Sequence, residues 1–143
     1  MYAPNDLGAF WERTRVGLDK IPIQPQLSPA PEQSDRDFTT QHVTLTSFAG
    51  IKLRAWYSVP KDNPRGKSPA ILAVPGYSGS KQIPTHLVTQ GYAVLTLFPR
   101  GQGESKAEWQ IESGTYLTYH ITDREEYFYR GAYMDCVRGI DFL

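Results

Sequence analysis

The sequence predicts an α/β fold in which an antiparallel hairpin leads into a parallel sheet flanked by helices, and three observations carry that prediction. Ile51, Leu53, Ala55, Tyr57 and Val59 alternate with Lys52, Arg54 and Ser58, the period of a strand with one buried face. Alternation then disappears: Ala70 to Val74 and Tyr92 to Leu97 are almost uninterrupted apolar runs, as strands covered on both faces must be. Finally, a short helical segment separates those two runs and a longer helical pattern closes the chain.

Taken in order, Leu7, Phe10, Trp11, Thr14 and Leu18 fall at helical spacing behind an Asn5 or Asp6 cap, which predicts an amphipathic helix lying as a lid or flank. Pro22, Pro25, Pro29 and Pro31 stand among Gln and Ser, so the segment is expected to run as an extended surface connection. The hairpin follows, with strands His42–Phe48 and Ile51–Val59 either side of Ala49-Gly50. Pro60 to Pro69 is a polar loop before the strand at 70–74. A helix between Lys81 and Gln90, interrupted or initiated near Pro84 and ended by Gly91, leads to the strand at 92–98, giving one crossover unit. Residues 106–121 read as an irregular excursion rich in Trp109, Tyr116 and Tyr119. Thr122-Asp123-Arg124-Glu125 then offers a capping box, and Tyr129, Tyr133, Cys136, Val137, Ile140 and Leu143 recur at helical spacing behind it. The domain organisation expected is an N-terminal helix over 1–20, a Pro-rich connection over 21–37, and hairpin, parallel strands and crossover helices over 38–143, with no internal repeat.

At 143 residues the chain is long enough for one domain with a sizeable core. Fifteen Lys and Arg balance fifteen Asp and Glu, leaving no surplus of positive charge for a phosphate backbone, so nucleic acid is not an expected partner. The single cysteine, Cys136, excludes an intramolecular disulfide and fits a reducing compartment. With no basic-then-apolar leader at the N-terminus and no apolar run of bilayer length, the expectation is a cytoplasmic protein without a membrane partner.

The chemistry is signalled by Phe98-Pro99-Arg100-Gly101-Gln102-Gly103-Glu104-Ser105 at the end of the second apolar strand. An R-G-x-G-x-S turn in that place is an α/β-hydrolase signal, and Pro75-Gly76-Tyr77-Ser78-Gly79 at the end of the first is where hydrolases of this fold keep their oxyanion loop. Together with Phe10-Trp11 and Tyr129-Arg130-Gly131-Ala132-Tyr133-Met134-Asp135, these segments resemble the acetyl xylan esterase/cephalosporin-C deacetylase family of serine esterases. The resemblance runs over nearly the whole chain but over only the N-terminal part of a family member. One departure is clear: the family loop begins His-Gly-Tyr, and here Pro75 takes the place of the histidine.

The resemblance implies an N-terminal portion of an α/β-hydrolase fold, truncated before the nucleophile strand. Ester hydrolysis by a serine enzyme needs an activated hydroxyl, a histidine, an orienting acid and backbone donors for the oxyanion. Of these, the implied contribution is the backbone N–H of Tyr77 as one oxyanion donor; the nucleophile, acid and base are expected beyond Leu143. Ser78 lies in a near miss of G-x-S-x-G, with Ser80 in the last glycine's place, but it precedes the strand and helix that should come before a nucleophile elbow. His42 belongs to the hairpin and His86 to the first crossover helix, while His120 stands near Asp123 for a local hydrogen bond; all three read as surface or packing residues.

Gly101-Gln102-Gly103 is no dinucleotide fingerprint, because Lys106 replaces the third glycine and no acidic ribose partner follows. The turn is expected to bend the backbone sharply and leave Arg100 for a buried or interface carboxylate. Trp109, Tyr116, Tyr119, Tyr127, Tyr129 and Tyr133 suit a sugar-binding mouth, although core or interface packing explains each of them as well. No His, Cys and Asp cluster has metal-ligand spacing, and no cofactor is expected.

The implied function is removal of acetyl groups from small acetylated substrates, xylo-oligosaccharides or a cephalosporin-like ester, through a serine acyl-enzyme. As this chain alone the protein is expected to be inactive. Its implied partners are the small acetylated substrate, a missing C-terminal half and, for full-length family members, further copies in a homo-oligomer. Two alternatives stay open: a non-catalytic truncated or split-gene product that complements a separate C-terminal chain, and another α/β hydrolase of the dienelactone-hydrolase or peptidase kind.

Overall fold

The computed structural model describes residues 4–63, 66–77, 79, 82–111 and 115–143. Its centre is a five-stranded mixed sheet made of β1 (Gln26–Pro29), β2 (Phe38–Thr46), β3 (Lys52–Pro60), β4 (Ala70–Ala73) and β5 (Ala93–Phe98), arranged β1-β2-β3-β5-β4. The strands β1, β2, β3 and β5 pair antiparallel in turn, and β4 pairs parallel with β5 from Ala70 opposite Ala93 to Ala73 opposite Thr96. The antiparallel hairpin thus leads into a parallel pair, as the two kinds of apolar pattern require.

Every residue of β5 is buried, which explains its unbroken apolar run. Leu95 and Leu97 face one side with Val43, Leu45, Leu53 and Ala55, while Val94 faces the other with Phe38, Ala73 and Val88. Two helices, α1 (Leu7–Asp19) and α3 (Phe128–Phe142), pack against each other, and the tip of α3 brings Phe142 onto the Leu95 side. The short α2 (Thr85–Thr89) supplies Val88 to the other face. It starts only after Pro84, and Gly91 at φ +99° turns the chain into β5.

Four expectations need correction. Residues 26–29 of the Pro-rich connection form a sheet edge strand, and Pro31–Gln33 make a 3-10 turn. All four β1 residues are exposed, so no hydrophobic alternation marks the strand. Asp6 does occupy the position before α1, but its carboxylate makes no cap bond; it accepts from Arg124 Nη1 at 2.6 Å. Thr122-Asp123-Arg124-Glu125 does not start α3 either: Asp123 Oδ1 accepts from the N–H groups of Glu125 and Glu126, closing a separate turn, and the helix begins at Phe128. Finally, the apolar spacing in α3 does not mark its most buried face: Tyr129, Cys136 and Val137 are only half-buried. Tyr133 and Ile140 are 55% and 62% exposed, whereas the buried face carries Gly131, Ala132, Met134, Asp135, Arg138 and Gly139.

Arg138 explains part of that reversal. Its Nη2 donates to the carbonyls of Leu18 and Ile21 at 2.8 Å each, satisfying the end of α1 from across the helix interface. Gly139 lets α3 approach the sheet, since a Cβ there would stand 2.9 Å from both Leu72 and Leu97.

Among the described residues no strand pairs with the outer edge of β4. Ala70 and Val74 are exposed and Ile71 and Leu72 are only half-buried, so this apolar parallel strand presents open backbone groups beside uncovered side chains. A polypeptide of these 143 residues is expected to self-associate at micromolar concentration, and Ala70→Lys with Val74→Lys is expected to reduce that association. Light scattering after size exclusion reads both; a monodisperse wild-type monomer with a sharp thermal transition would contradict the expectation.

Candidate functional site

Because β4 and β5 are parallel neighbours in register, the segments that follow them leave the sheet at the same end. That end, beyond the carboxyl termini of parallel strands, is where open α/β sheets place their ligand chemistry. Pro75-Gly76-Tyr77 follows β4 there, and Pro99-Arg100-Gly101-Gln102 follows β5.

The turn after β5 is held by a buried ion pair. Arg100 Nε donates to Asp135 Oδ2 and Arg100 Nη2 to Asp135 Oδ1, both at 2.8 Å, with Arg100 7% exposed and Asp135 fully buried. The same carboxylate accepts from the Arg100 backbone N–H at 2.9 Å and from Ser47 Oγ at 2.6 Å. Arg100 Nη2 also donates to the Phe48 carbonyl at 2.9 Å. The expected buried carboxylate is therefore Asp135, four residues beyond Gly131. Gly131 has to be small, because a Cβ there would overlap the Arg100 guanidinium. Arg130 reaches the other way, to Thr14 Oγ1 at 3.0 Å and to Glu125 Oε2 at 2.8 Å.

Within the turn, Gly101 has φ +72° and Gly103 φ +45°, the sharp bend that the glycine spacing predicts. Just beyond, Ser105 Oγ donates to the Phe98 carbonyl at 2.5 Å and accepts from the Arg54 N–H at 2.8 Å, which explains the serine of R-G-x-G-x-S as a strap between the β5 end and β3.

Tyr77 is half-exposed, and its ring meets the edge of Tyr116 with centroids 5.7 Å apart. Tyr116 is itself buried, packs on Phe128 and donates its hydroxyl to the Gly101 carbonyl at 2.6 Å. Burial, and secondarily the Tyr77 phenol, push the Tyr116 hydroxyl above the ordinary tyrosine range. Tyr116 escapes a reading by periodicity because it lies among turns; its only sequence signal is an aromatic in a polar excursion.

Among the remaining described residues no triad assembles. His42 Nε2 pairs with Glu32 Oε1 at 2.8 Å on the exposed side of the sheet edge, and His86 is exposed on α2. His120 sits in a left-handed turn at φ +56° against the Tyr119 ring, and the Asp123 carboxylate beside it is taken by backbone donors rather than by the imidazole. Ser78 and Ser80 lie outside the described residues. Cys136 is no nucleophile at neutral pH, because burial and then Asp135 push its thiol up to about 11.

The aromatic residues form two groups joined where the Tyr129 ring meets Phe128, centroids 5.2 Å apart. Trp109, Tyr116 and Tyr119 pack with Phe128, and Tyr127, Tyr129, Tyr133 and Trp11 form a string of ring contacts along α3 and α1. A cavity of about 420 Å³ opens between Phe48, Ile51, Trp109 and Tyr127, but Tyr77 does not line it, and two of its charged side chains, Arg130 and Glu125, are already paired.

Comparison with known proteins gives one family. The model of the acetyl xylan esterase (AXE1) family matches residues 1–143. The acetyl esterase Axe7A of Xylanibacter ruminicola is 25% identical over 153 residues, which take in 98% of this chain and 34% of that protein. The acetyl xylan esterase from Paenibacillus sp. R4 superposes with a TM-score of 0.85 at 27% identity, over 99% of this chain and 48% of its own. Acetyl xylan esterase 1 from Thermoanaerobacterium sp. JW/SL YS485 shares the fold, with a TM-score of 0.78 at 21% identity over 96% and 46%. The chain thus spans about a third of the curated relative and about half of the solved ones.

Breaking the buried pair from one side should be costly. Asp135→Asn is expected to destabilise by about 3–5 kcal/mol, because it leaves the Arg100 charge buried without its counter-ion. Gly131→Ala is expected to lose ~1–3 kcal/mol by pushing on the same guanidinium. The two should be strongly non-additive in denaturant unfolding. Losses under about 1 kcal/mol for Asp135→Asn would mean the pair does not hold the turn.

Proposed function

Because the chain belongs to the acetyl xylan esterase family, we propose that it forms the N-terminal part of a serine esterase that removes acetyl groups from small acetylated substrates. Its own contribution is the Tyr77 backbone N–H as one of two oxyanion donors. The observation that carries this is the placement of Pro75-Gly76-Tyr77 at the carboxyl end of β4, beside the anchored turn of β5 and on the open side of the sheet. A strand pairing with the free edge of β4 would end next to Tyr77, which is where a nucleophile elbow has to be for its serine and this N–H to address one carbonyl.

In this reading the serine Oγ, supplied from outside these residues, attacks the acetyl carbonyl carbon as a histidine takes its proton. The carbonyl π electrons move to oxygen, and the Tyr77 N–H donates to the resulting oxyanion. Collapse of the intermediate expels the alcohol, which takes the proton back from the histidine and leaves acetyl-serine. Water repeats the sequence and releases acetate. Acetylated xylo-oligosaccharides are the substrate class nearest the relatives' names; a cephalosporin-like acetyl ester is the second to test. The reading needs no metal or cofactor; a cytoplasmic location and a homo-oligomeric state of the complete enzyme are proposed beside it.

Two measurements test it. These residues alone are expected to give no saturable hydrolysis of p-nitrophenyl acetate, and hydrolysis abolished by stoichiometric fluorophosphonate labelling of Ser78 would overturn that. In the enzyme completed by a nucleophile-bearing C-terminal segment, Tyr77→Pro deletes the N–H and is expected to lower kcat by about 10²–10³. Tyr77→Phe and Tyr77→Ala keep the N–H and should fall far less. Because proline also restricts Gly76, circular dichroism must confirm the fold of the Tyr77→Pro variant. A folded Tyr77→Pro enzyme with near-wild-type kcat would remove Tyr77 from the oxyanion site.

A further inference from the structure

A half-exposed loop is a poor place for a catalytic donor unless something rigid holds it, since positional errors of ~1 Å can cost about 10² in rate. The described contacts of Tyr77 lead to one deeply buried side chain. Tyr116 is 2% exposed and touches three separate elements: the Tyr77 ring after β4, the Gly101 carbonyl after β5, and Phe128, the first residue of α3. The fit at Gly101 is close. A Cβ there would stand 3.1 Å from Tyr116 Cε1 and 3.2 Å from Trp109 Cζ3, so the turn is shaped around these two rings.

We propose that Tyr116 is a positioning residue: its ring and hydroxyl fix the Tyr77 loop relative to the anchored Arg100–Gly103 turn, and so set where the Tyr77 N–H points. This rests on the reading of Tyr77 as an oxyanion donor. The chain of contact is short and physical. Asp135 holds Arg100, Arg100 holds the turn, the Gly101 carbonyl holds the Tyr116 hydroxyl, and the Tyr116 ring supports Tyr77 edge to face. Each of the two functions of Tyr116 can be removed separately. Tyr116→Phe deletes the hydrogen bond to Gly101 and keeps the ring against Tyr77; Tyr116→Leu deletes both.

The test uses the completed enzyme and two readouts, steady-state kinetics on p-nitrophenyl acetate and hydrogen exchange over residues 74–77 and 99–103. Tyr116→Leu is expected to lower kcat by about 10-fold or more with KM little changed, and to speed exchange in both segments but not in the β2–β3 hairpin. Tyr116→Phe should recover part of that kcat, with faster exchange confined to 99–103. If Tyr116→Leu does not fold, Tyr116→Phe decides by its exchange in 99–103. Unchanged exchange in a variant that folds would overturn the proposal, as would loosening spread evenly over the sheet, which marks an ordinary core residue. Near-wild-type kcat in Tyr77→Pro would remove the oxyanion reading alone, because the exchange of 74–77 in Tyr116→Leu still shows whether Tyr116 holds the loop.

Discussion

The Arg100–Asp135 pair is the constraint on which the arrangement of this chain turns. A buried ion pair is a weak source of net stability, since removing two charges from water offsets much of their attraction. Its effect here is geometric. The carboxylate takes four donors, three from Arg100 and one from Ser47, and Arg100 passes a further bond to the Phe48 carbonyl. The β2–β3 connection, the end of β5 and the middle of α3 can therefore meet in only one relative orientation. With Asp135 facing inward, α3 has no choice of rotation about its axis.

That rotation accounts for the main failure of pattern reading. Periodicity assigns the apolar stripe Tyr129, Tyr133, Cys136, Val137, Ile140 and Leu143 to one side of α3, and a lone amphipathic helix would bury it. The pair, the Arg138 bonds to the end of α1, and the close approach at Gly131 and Gly139 turn the other side inward. With an acid, an arginine and two glycines beside Ala132 and Met134, that face does not stand out as buried by hydrophobicity. The strands were legible for the opposite reason: β5 and the hairpin bury aliphatic side chains with period-two or continuous patterns. β1 was not legible, because an exposed edge strand flanked by Pro25 and ending at Pro29 has only backbone pairing to define it.

The site was legible unevenly. The position of Tyr77 follows from strand order and loop placement alone, and Arg100 announces a buried carboxylate by standing at the end of an apolar strand. The identity of that carboxylate was hidden in plain view within Tyr129-Arg130-Gly131-Ala132-Tyr133-Met134-Asp135, where the spacing of Gly131 and Asp135 by four residues puts both on one helix face. Tyr116 had no comparable signal. A turn-rich segment has no period, so burial of one aromatic among several can be seen only once the chain is folded.

These placements change what the glycine motifs mean. In R-G-x-G the space beside the glycines is taken by aromatic rings. Gly101 makes room for Tyr116 and Trp109, and Gly103 for the Phe98 ring, while on α3 Gly131 makes room for the Arg100 guanidinium. The two motifs thus meet in one joint, in which Gly131 of the second leaves the space that Arg100 of the first fills. A joint of this kind performs no chemistry, yet it decides how rigidly the end of β5 stands beside the end of β4. If Tyr77 is the oxyanion donor proposed above, the motif residues of this chain would serve catalysis chiefly by fixing a backbone N–H, because such a donor acts through its position and not through its side chain. On that same proposal, the apolar side chains beside the open edge of β4 lie on the side from which a nucleophile strand would pair, opposite the anchored joint.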